Sequence, residues 1–198
     1  MDFIESKGLD NHPLYLLFHG TGGNEYDLLG LMALLDDKAS YLSFRGEVNE
    51  HGLLRFFKRI RPGVFDEEDL IERTRRYVDQ LQNLLAEKKA PDQKVVALGY
   101  SNGANFIASL LYHNEKRVNK AVLLHPMVPY QNIKPSDLKG MEVFIGAGSN
   151  DPICPYEEAL QLQKDLENAG ATVTLFTTQN GHNITDEELQ AAKAWLEN

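Results

Sequence analysis

A chain of 198 residues, 42% hydrophobic and 25% charged, is long enough to close one sizeable core and too apolar to stay disordered. Its formal net charge of -9 opposes nonspecific attraction to nucleic acid or anionic lipid, and nothing in it reads as a membrane span. The single cysteine, Cys154, rules out an intrachain disulfide, and the opening MDFIESKGLDNHPLYLLFHG lacks a basic segment leading into an apolar one, so a cytoplasmic protein is expected.

The first β-favouring run covers 14–18 and leads into His19-Gly20-Thr21-Gly22-Gly23, after which 26–35 has helical spacing. A strand is predicted over 41–44. Residues 49–65 then interleave Phe56, Phe57, Ile60 and Phe65 with Arg55, Lys58, Arg59 and Arg61. Stacking and charge of this kind can hold single-stranded nucleic acid, which the acidic whole argues against. Two readings stay open for this segment. As a helical turn or flap, its aromatics Phe56, Phe57 and Phe65 line a substrate pocket while its cations stay in solvent; otherwise the rings are core beneath a surface loop.

Residues 67–88 put Leu70, Ile71, Thr74, Tyr77, Val78, Leu81, Leu84 and Leu85 on one helical face, and Pro91 marks the stop. A buried strand over 95–98 runs into GYSNG, and 105–112 resumes helical spacing. Strands over 121–124, 143–145 and 173–176 alternate with helices over 156–168 and 185–196, the last opened by a Thr185/Glu188 capping box. Strands alternating with helices predict an α/β fold: a mostly parallel central sheet with helices on both faces. No linker or repeat interrupts the series, so residues 1–198 are read as one domain.

Ligands of open α/β sheets sit beyond the carboxyl ends of the strands. The segments following five of these strands are FHGTGGNEYDLL, GYSNG, HPMVP, GAGSNDPICP and TQNGHNIT. Gly99-Tyr100-Ser101-Asn102-Gly103 fits the Gly-x-Ser-x-Gly turn that presents a serine hydroxyl between strand and helix. A serine needs an imidazole to take its proton and a carboxylate to orient that imidazole, and the later loops supply Asp151 and His182, with Asp186 as the next acid to consider. The order Ser, Asp, His is that of α/β-hydrolases. Backbone amides of Asn102, following the nucleophile, and of Thr21, in the glycine loop, are the candidate oxyanion donors.

Rival chemistries fit less well. Glu25 stands where a dinucleotide loop needs its third glycine, and no Gly-Lys-Ser/Thr follows, so no nucleotide cofactor is expected. The histidines His12, His19, His51, His113, His125 and His182 show no metal-ligand spacing, and no metal is expected. His125 borders the site in a supporting role, and Cys154 reads as a packed residue.

LFHGTGGN, GYSNGA, GSNDPICP and GHNIT together resemble the phospholipase/carboxylesterase family of α/β-hydrolases, which includes acyl-protein thioesterases. FRGEVNEHGLLRFFKRIRPGVFDEEDL resembles a bacterial esterase branch sometimes associated with quinone or metal stress. The resemblance implies an α/β-hydrolase without a large cap domain, a Ser101/Asp151/His182 triad, and oxyanion donors at Thr21 and Asn102. A small-molecule ester is the expected partner, with no nucleic acid and no membrane span. A serine carboxylesterase working through an acyl-enzyme is the expected function. A thioesterase or lysophospholipase with the same triad, and a non-catalytic binding module, are the alternatives. Oligomeric state and natural substrate are not legible.

Overall fold

The structure, a computed structural model, describes residues 1–113 and 115–198. The chain enters through an edge strand β1 (Phe3–Ser6) and a strand buried along its whole length, β2 (Leu14–Phe18). Helix α1 (Leu29–Leu35) and strand β3 (Ser40–Phe44) follow. The predicted helix over 26–35 starts three residues late because Asn24 captures the chain first. Its Oδ1 accepts from the Tyr26 amide at 2.9 Å and its carbonyl from the Asp27 amide at 3.2 Å. Such local side-chain bonds compete with the helix ladder.

Residues 49–65 are neither a helical turn nor a plain loop. They build two small hairpins, β4 (Val48–Glu50) with β5 (Leu53–Arg55), and β6 (Arg59–Arg61) with β7 (Val64–Phe65). The first turns through His51 and Gly52, both at positive φ (53° and 91°), the requirement of a two-residue hairpin loop. Helix α2 (Glu67–Lys88) follows, its start capped by the Asp66 side chain accepting from the Asp69 amide.

Then come β8 (Val95–Tyr100), α3 (Asn102–Tyr112), β9 (Lys120–Leu124), β10 (Glu142–Gly148), α4 (Tyr156–Asn168), β11 (Thr172–Thr178) and α5 (Asp186–Leu196). Both arms of the Thr185/Glu188 capping box are present.

One seven-stranded sheet runs β1-β3-β2-β8-β9-β10-β11, parallel throughout except for β1 at its edge. The predicted α/β fold is the observed one. Alternate strand residues feed two cores, as a sheet covered on both faces requires. One joins Leu16, Phe18, Ala97 and Ile145 to α2, α3 and α4; the other joins Leu17, Leu98 and Phe144 to α1 and α5. Register aligns the carboxyl ends. Phe18 faces both Phe44 and Gly99, and Leu124 faces both Tyr100 and Gly146.

The hairpins correct the reading of Phe56 and Phe57 as pocket residues. They are 1% and 0% exposed, and Phe56 lies within an aromatic cluster, 5.3 Å from Phe18 and stacked on Phe106 at 5.4 Å. Phe57 packs edge-on against Phe65 at 5.0 Å. Phe65 is half-buried and lines a groove of about 290 Å³ with Met127, Val128 and Tyr130. Nor do all the cations stay in solvent: Arg55 is 3% exposed.

Phe56→Ala is expected to lower the unfolding free energy by about 3–5 kcal/mol, the range for truncating a buried phenyl ring. Urea unfolding measures it, and a loss below about 1 kcal/mol would place the ring outside the tightly packed core.

Candidate active site

Ser101 follows β8 with φ 51° and ψ -112°, backbone that a non-glycine residue adopts only where its surroundings force it. The force comes from both sides. The Ser101 amide donates to the Leu124 carbonyl at 2.8 Å, and its carbonyl accepts from the Asn105 amide at 2.9 Å. Gly103 lies so close to the Phe18 carbonyl that a Cβ would collide with it, and a Cβ on Gly99 would sit 2.7 Å from the Ala104 nitrogen. The flanking glycines thus let the helix seat against the strand.

The turn presents Ser101 Oγ to His182. The hydroxyl lies 2.9 Å from Nε2, and Nδ1 of the same ring lies 2.6 Å from Asp151 Oδ2. A carboxylate on Nδ1 fixes the proton there, so Nε2 carries the lone pair facing the serine. The ring is held from behind as well: the Tyr100 hydroxyl donates to the His182 carbonyl at 2.5 Å. Asp186, on the first turn of α5, is exposed, and Asp151 is the acid that meets the imidazole.

Asp151 is the most heavily bonded member. Oδ1 accepts from the amides of Ile153 (2.8 Å) and Cys154 (3.0 Å), and Oδ2 accepts from His182 (2.6 Å) and from His125 Nδ1 (3.0 Å). Burial, the largest influence, pushes its carboxyl upward. The Cys154 amide, His182, the Ile153 amide and His125 outweigh burial and hold it below the ordinary carboxylate range. Cys154 itself is pushed up to about 12 by burial and the neighbouring Asp151, so its thiol stays protonated and unreactive.

The two amides read as oxyanion donors come from different segments, the start of α3 and the loop after β2. Asn102 opens α3, where an amide has no intrahelical acceptor, and its side-chain Oδ1 takes the Phe56 amide at 2.8 Å. Thr21 is exposed on the glycine loop, its hydroxyl taking Arg55 Nη1 at 2.6 Å. Arg55 also donates to the Phe57 carbonyl at 3.2 Å and lies over the Phe57 ring. Burial and then Arg59 lower its pKa to about 10, which still leaves it cationic. Buried His19 anchors the other end of the loop, donating from Nδ1 to the Gly20 carbonyl (2.7 Å) and accepting the Gly46 amide on Nε2 (2.9 Å). That neutral tautomer agrees with a pKa lowered chiefly by burial. Neither Arg55 nor His19 was readable as a loop anchor, because the contacts that tie the loop down, Arg55 to Thr21 and His19 to Gly46, join distant segments.

His125, Asp151 and His182 offer possible metal-ligand atoms within 4.8 Å of one another. Those on the two rings already share Asp151 Oδ2 through hydrogen bonds, so a cation would have to displace both protons. A larger cavity, about 920 Å³, opens at the amino-terminal edge of the sheet beside His12, Asp36, Lys94 and Lys193, at the far end of the strands from Ser101. Phe65 and its groove flank α2 and the loop after β9, whereas Phe56 and Phe57 lie beneath the site.

A mostly parallel sheet with helices on both faces, bearing a serine on its strand–helix turn and an aspartate and a histidine on later loops, is the α/β-hydrolase fold. The chain belongs to the dienelactone hydrolase family, whose model matches residues 60–195. It is 45% identical over 195 residues to "Putative hydrolase MhqD" of Bacillus subtilis (strain 168), covering 98% of this chain and 97% of that one. It superposes on the Bacillus cereus carboxylesterase with TM-score 0.95 at 48% identity, covering 100% of this chain and 93% of that one. YahD, solved with malic acid, matches with TM-score 0.91 at 31% identity over 99% and 98% of the two chains. The resemblance to carboxylesterases read from the motifs is borne out, and the protein is a hydrolase by family.

The lowered Asp151 carboxyl gives a stability term with a definite sign. It is present above the unfolded carboxyl value of about 3.9 and is lost as pH falls through the lower folded value. The unfolding free-energy gap between wild type and Asp151→Asn is therefore expected to shrink below about pH 4. Chemical denaturation from pH 5 to pH 3, below the ordinary histidine value of about 6.5, measures it, and a gap that widens over that range contradicts the assignment.

Proposed function

We propose that the protein is a serine carboxylesterase that hydrolyses small carboxylic esters through an acyl-enzyme. The observation that carries this reading is the unbroken hydrogen-bonded chain from Ser101 Oγ through His182 to Asp151. Ser101 Oγ attacks the ester carbonyl while His182 Nε2 takes the hydroxyl proton, and Asp151 stabilises the imidazolium that forms. The oxyanion lies between the amides of Asn102 and Thr21, a contribution of about 3 kcal/mol per donor where one has been removed in other hydrolases. Collapse returns the proton from His182 to the leaving alkoxide, releasing the alcohol. Water, deprotonated by His182, then attacks the acyl-serine and frees the acid.

Thioesters and lysophospholipids would be handled by the same apparatus, so a panel varied separately in acyl and alcohol halves separates these substrates. No helix among the described residues is long and apolar enough to cross a membrane, and the single buried cysteine suits a reducing compartment, so we place the protein in the cytoplasm.

Ser101→Ala is expected to lower kcat for p-nitrophenyl acetate by about four to six orders of magnitude while the thermal melt stays near that of wild type. Turnover within about tenfold of wild type would remove Ser101 from the reaction, since losses of triad members are far larger.

A further inference from the structure

His125 is not needed by the Ser–His–Asp chain, yet the fold goes to some length to bury it there. It follows β9 at φ 54°, an uncommon conformation for a side-chain-bearing residue, and its amide is held by the Gly146 carbonyl at 2.7 Å. Its ring is fully enclosed. Nδ1 meets Asp151 Oδ2 at 3.0 Å, and Nε2 faces Glu188 Oε2 at 3.4 Å, with both side chains of that second pair 0% exposed.

Glu188 was legible only as a helix-capping residue. Its carboxylate does accept the Thr185 amide at 3.4 Å through Oε2, but it also reaches under the sheet edge toward His125. Room for it is made by Gly146, where a Cβ would collide with Oε1. Among the described residues, neither His125 Nε2 nor Glu188 Oε1 makes a hydrogen bond, so the second contact is one of charge rather than of hydrogen-bond geometry.

An imidazole with a carboxylate oxygen at each nitrogen is accommodated best with a proton on both, because a bare lone pair would face a negative oxygen. The groups facing the ring are Asp151 from the loop after β10, Glu188 from α5, His182 at 5.2 Å between ring centroids and Tyr100 at 6.0 Å. We propose that His125, paired behind with Glu188, is a positioning residue that clamps Asp151 Oδ2 and keeps a fixed positive charge beside the Asp151–His182 pair. This inference rests on the serine-hydrolase reading for its effect on Ser101, though not for the protonation of His125.

Two consequences follow from charge. With Asp151 held by the second imidazole, its oxygen cannot swing away from His182. A fixed cation there also disfavours a second positive charge beside it, which the pH dependence of the serine's reactivity reads. The direction in which burial and carboxylates act on His125 is consistent: burial pulls its pKa down most strongly, but Glu188 and then Asp151 more than offset this and raise it.

The test combines ¹⁵N NMR of the histidine rings with the rate constant for phosphonylation of Ser101 by a fluorophosphonate between pH 5 and pH 9. Wild type, His125→Gln, Glu188→Gln and the double variant are compared. At neutral pH one ring of the wild type, identified by its loss in His125→Gln, is expected to be protonated on both nitrogens. A neutral His125 overturns the proposal whether or not Ser101 reacts, while an unreactive Ser101 in the wild type overturns the hydrolase reading alone.

In His125→Gln the phosphonylation rate constant is expected to fall about tenfold, as for loss of a hydrogen bond to a charged group. Its acid limb moves up by about one pH unit, the order expected on removing a like charge at this distance. Glu188→Gln moves the limb the same way by less, and the double variant matches His125→Gln within about twofold because Glu188 acts through His125. Should His125→Gln fail to fold, Glu188→Gln carries the test. A limb that stays in place, moves to lower pH, or shifts additively in the double variant overturns the proposal.

Discussion

Asp151 is the interaction on which the site depends. Its carboxylate is 1% exposed, and water cannot satisfy it there. Two backbone amides hold one oxygen and two imidazoles share the other, so the group stays charged in a place that would otherwise neutralise it. An ionised, immobile Asp151 sets the tautomer of His182, and that tautomer leaves Nε2 free for Ser101. Removing any of the donors would loosen the carboxylate and, through it, the imidazole that faces the hydroxyl.

Sheet register brings these groups to one place. Because β8, β9 and β10 are parallel and in step at their carboxyl ends, Ser101, His125 and Asp151 emerge side by side from loops far apart in sequence. His182 completes the set from the loop after β11, braced by Tyr100. The hairpin segment serves the site from below. Phe56 and Phe57 pack the core against Phe106, while Arg55 reaches out of it to hold the Thr21 loop. Aromatic and cationic side chains that alternate in sequence therefore divide between packing and loop support.

Much of this was legible from residue order alone, and the reasons are physical. Long periodic segments announce themselves, so Glu67–Lys88 and Tyr156–Asn168 were readable to the residue. Ser101, Asp151 and His182 stood out because turn chemistry placed each after a strand, and the structure brings the three together. The edge strand Phe3–Ser6 was missed because four residues on a half-exposed edge carry too short a pattern. The hairpin turns at His51-Gly52 and at Gly63 had turn residues in plain view, but the aromatic content of the segment drew attention to binding rather than to burial. Glu188 was legible only as a capping residue and Arg55 only as one cation among several, since a buried ion pair or a loop anchor depends on which distant atoms the fold brings near.

The central claim is that the folded protein activates one serine. Treatment with a fluorophosphonate followed by intact-mass measurement and peptide mapping tests it most directly. The account predicts one phosphonyl adduct per chain, located on Ser101, and none when the protein is heat-unfolded first or when His182 is replaced by alanine. No adduct on the folded wild type, or one that forms equally well on the unfolded chain, would contradict it.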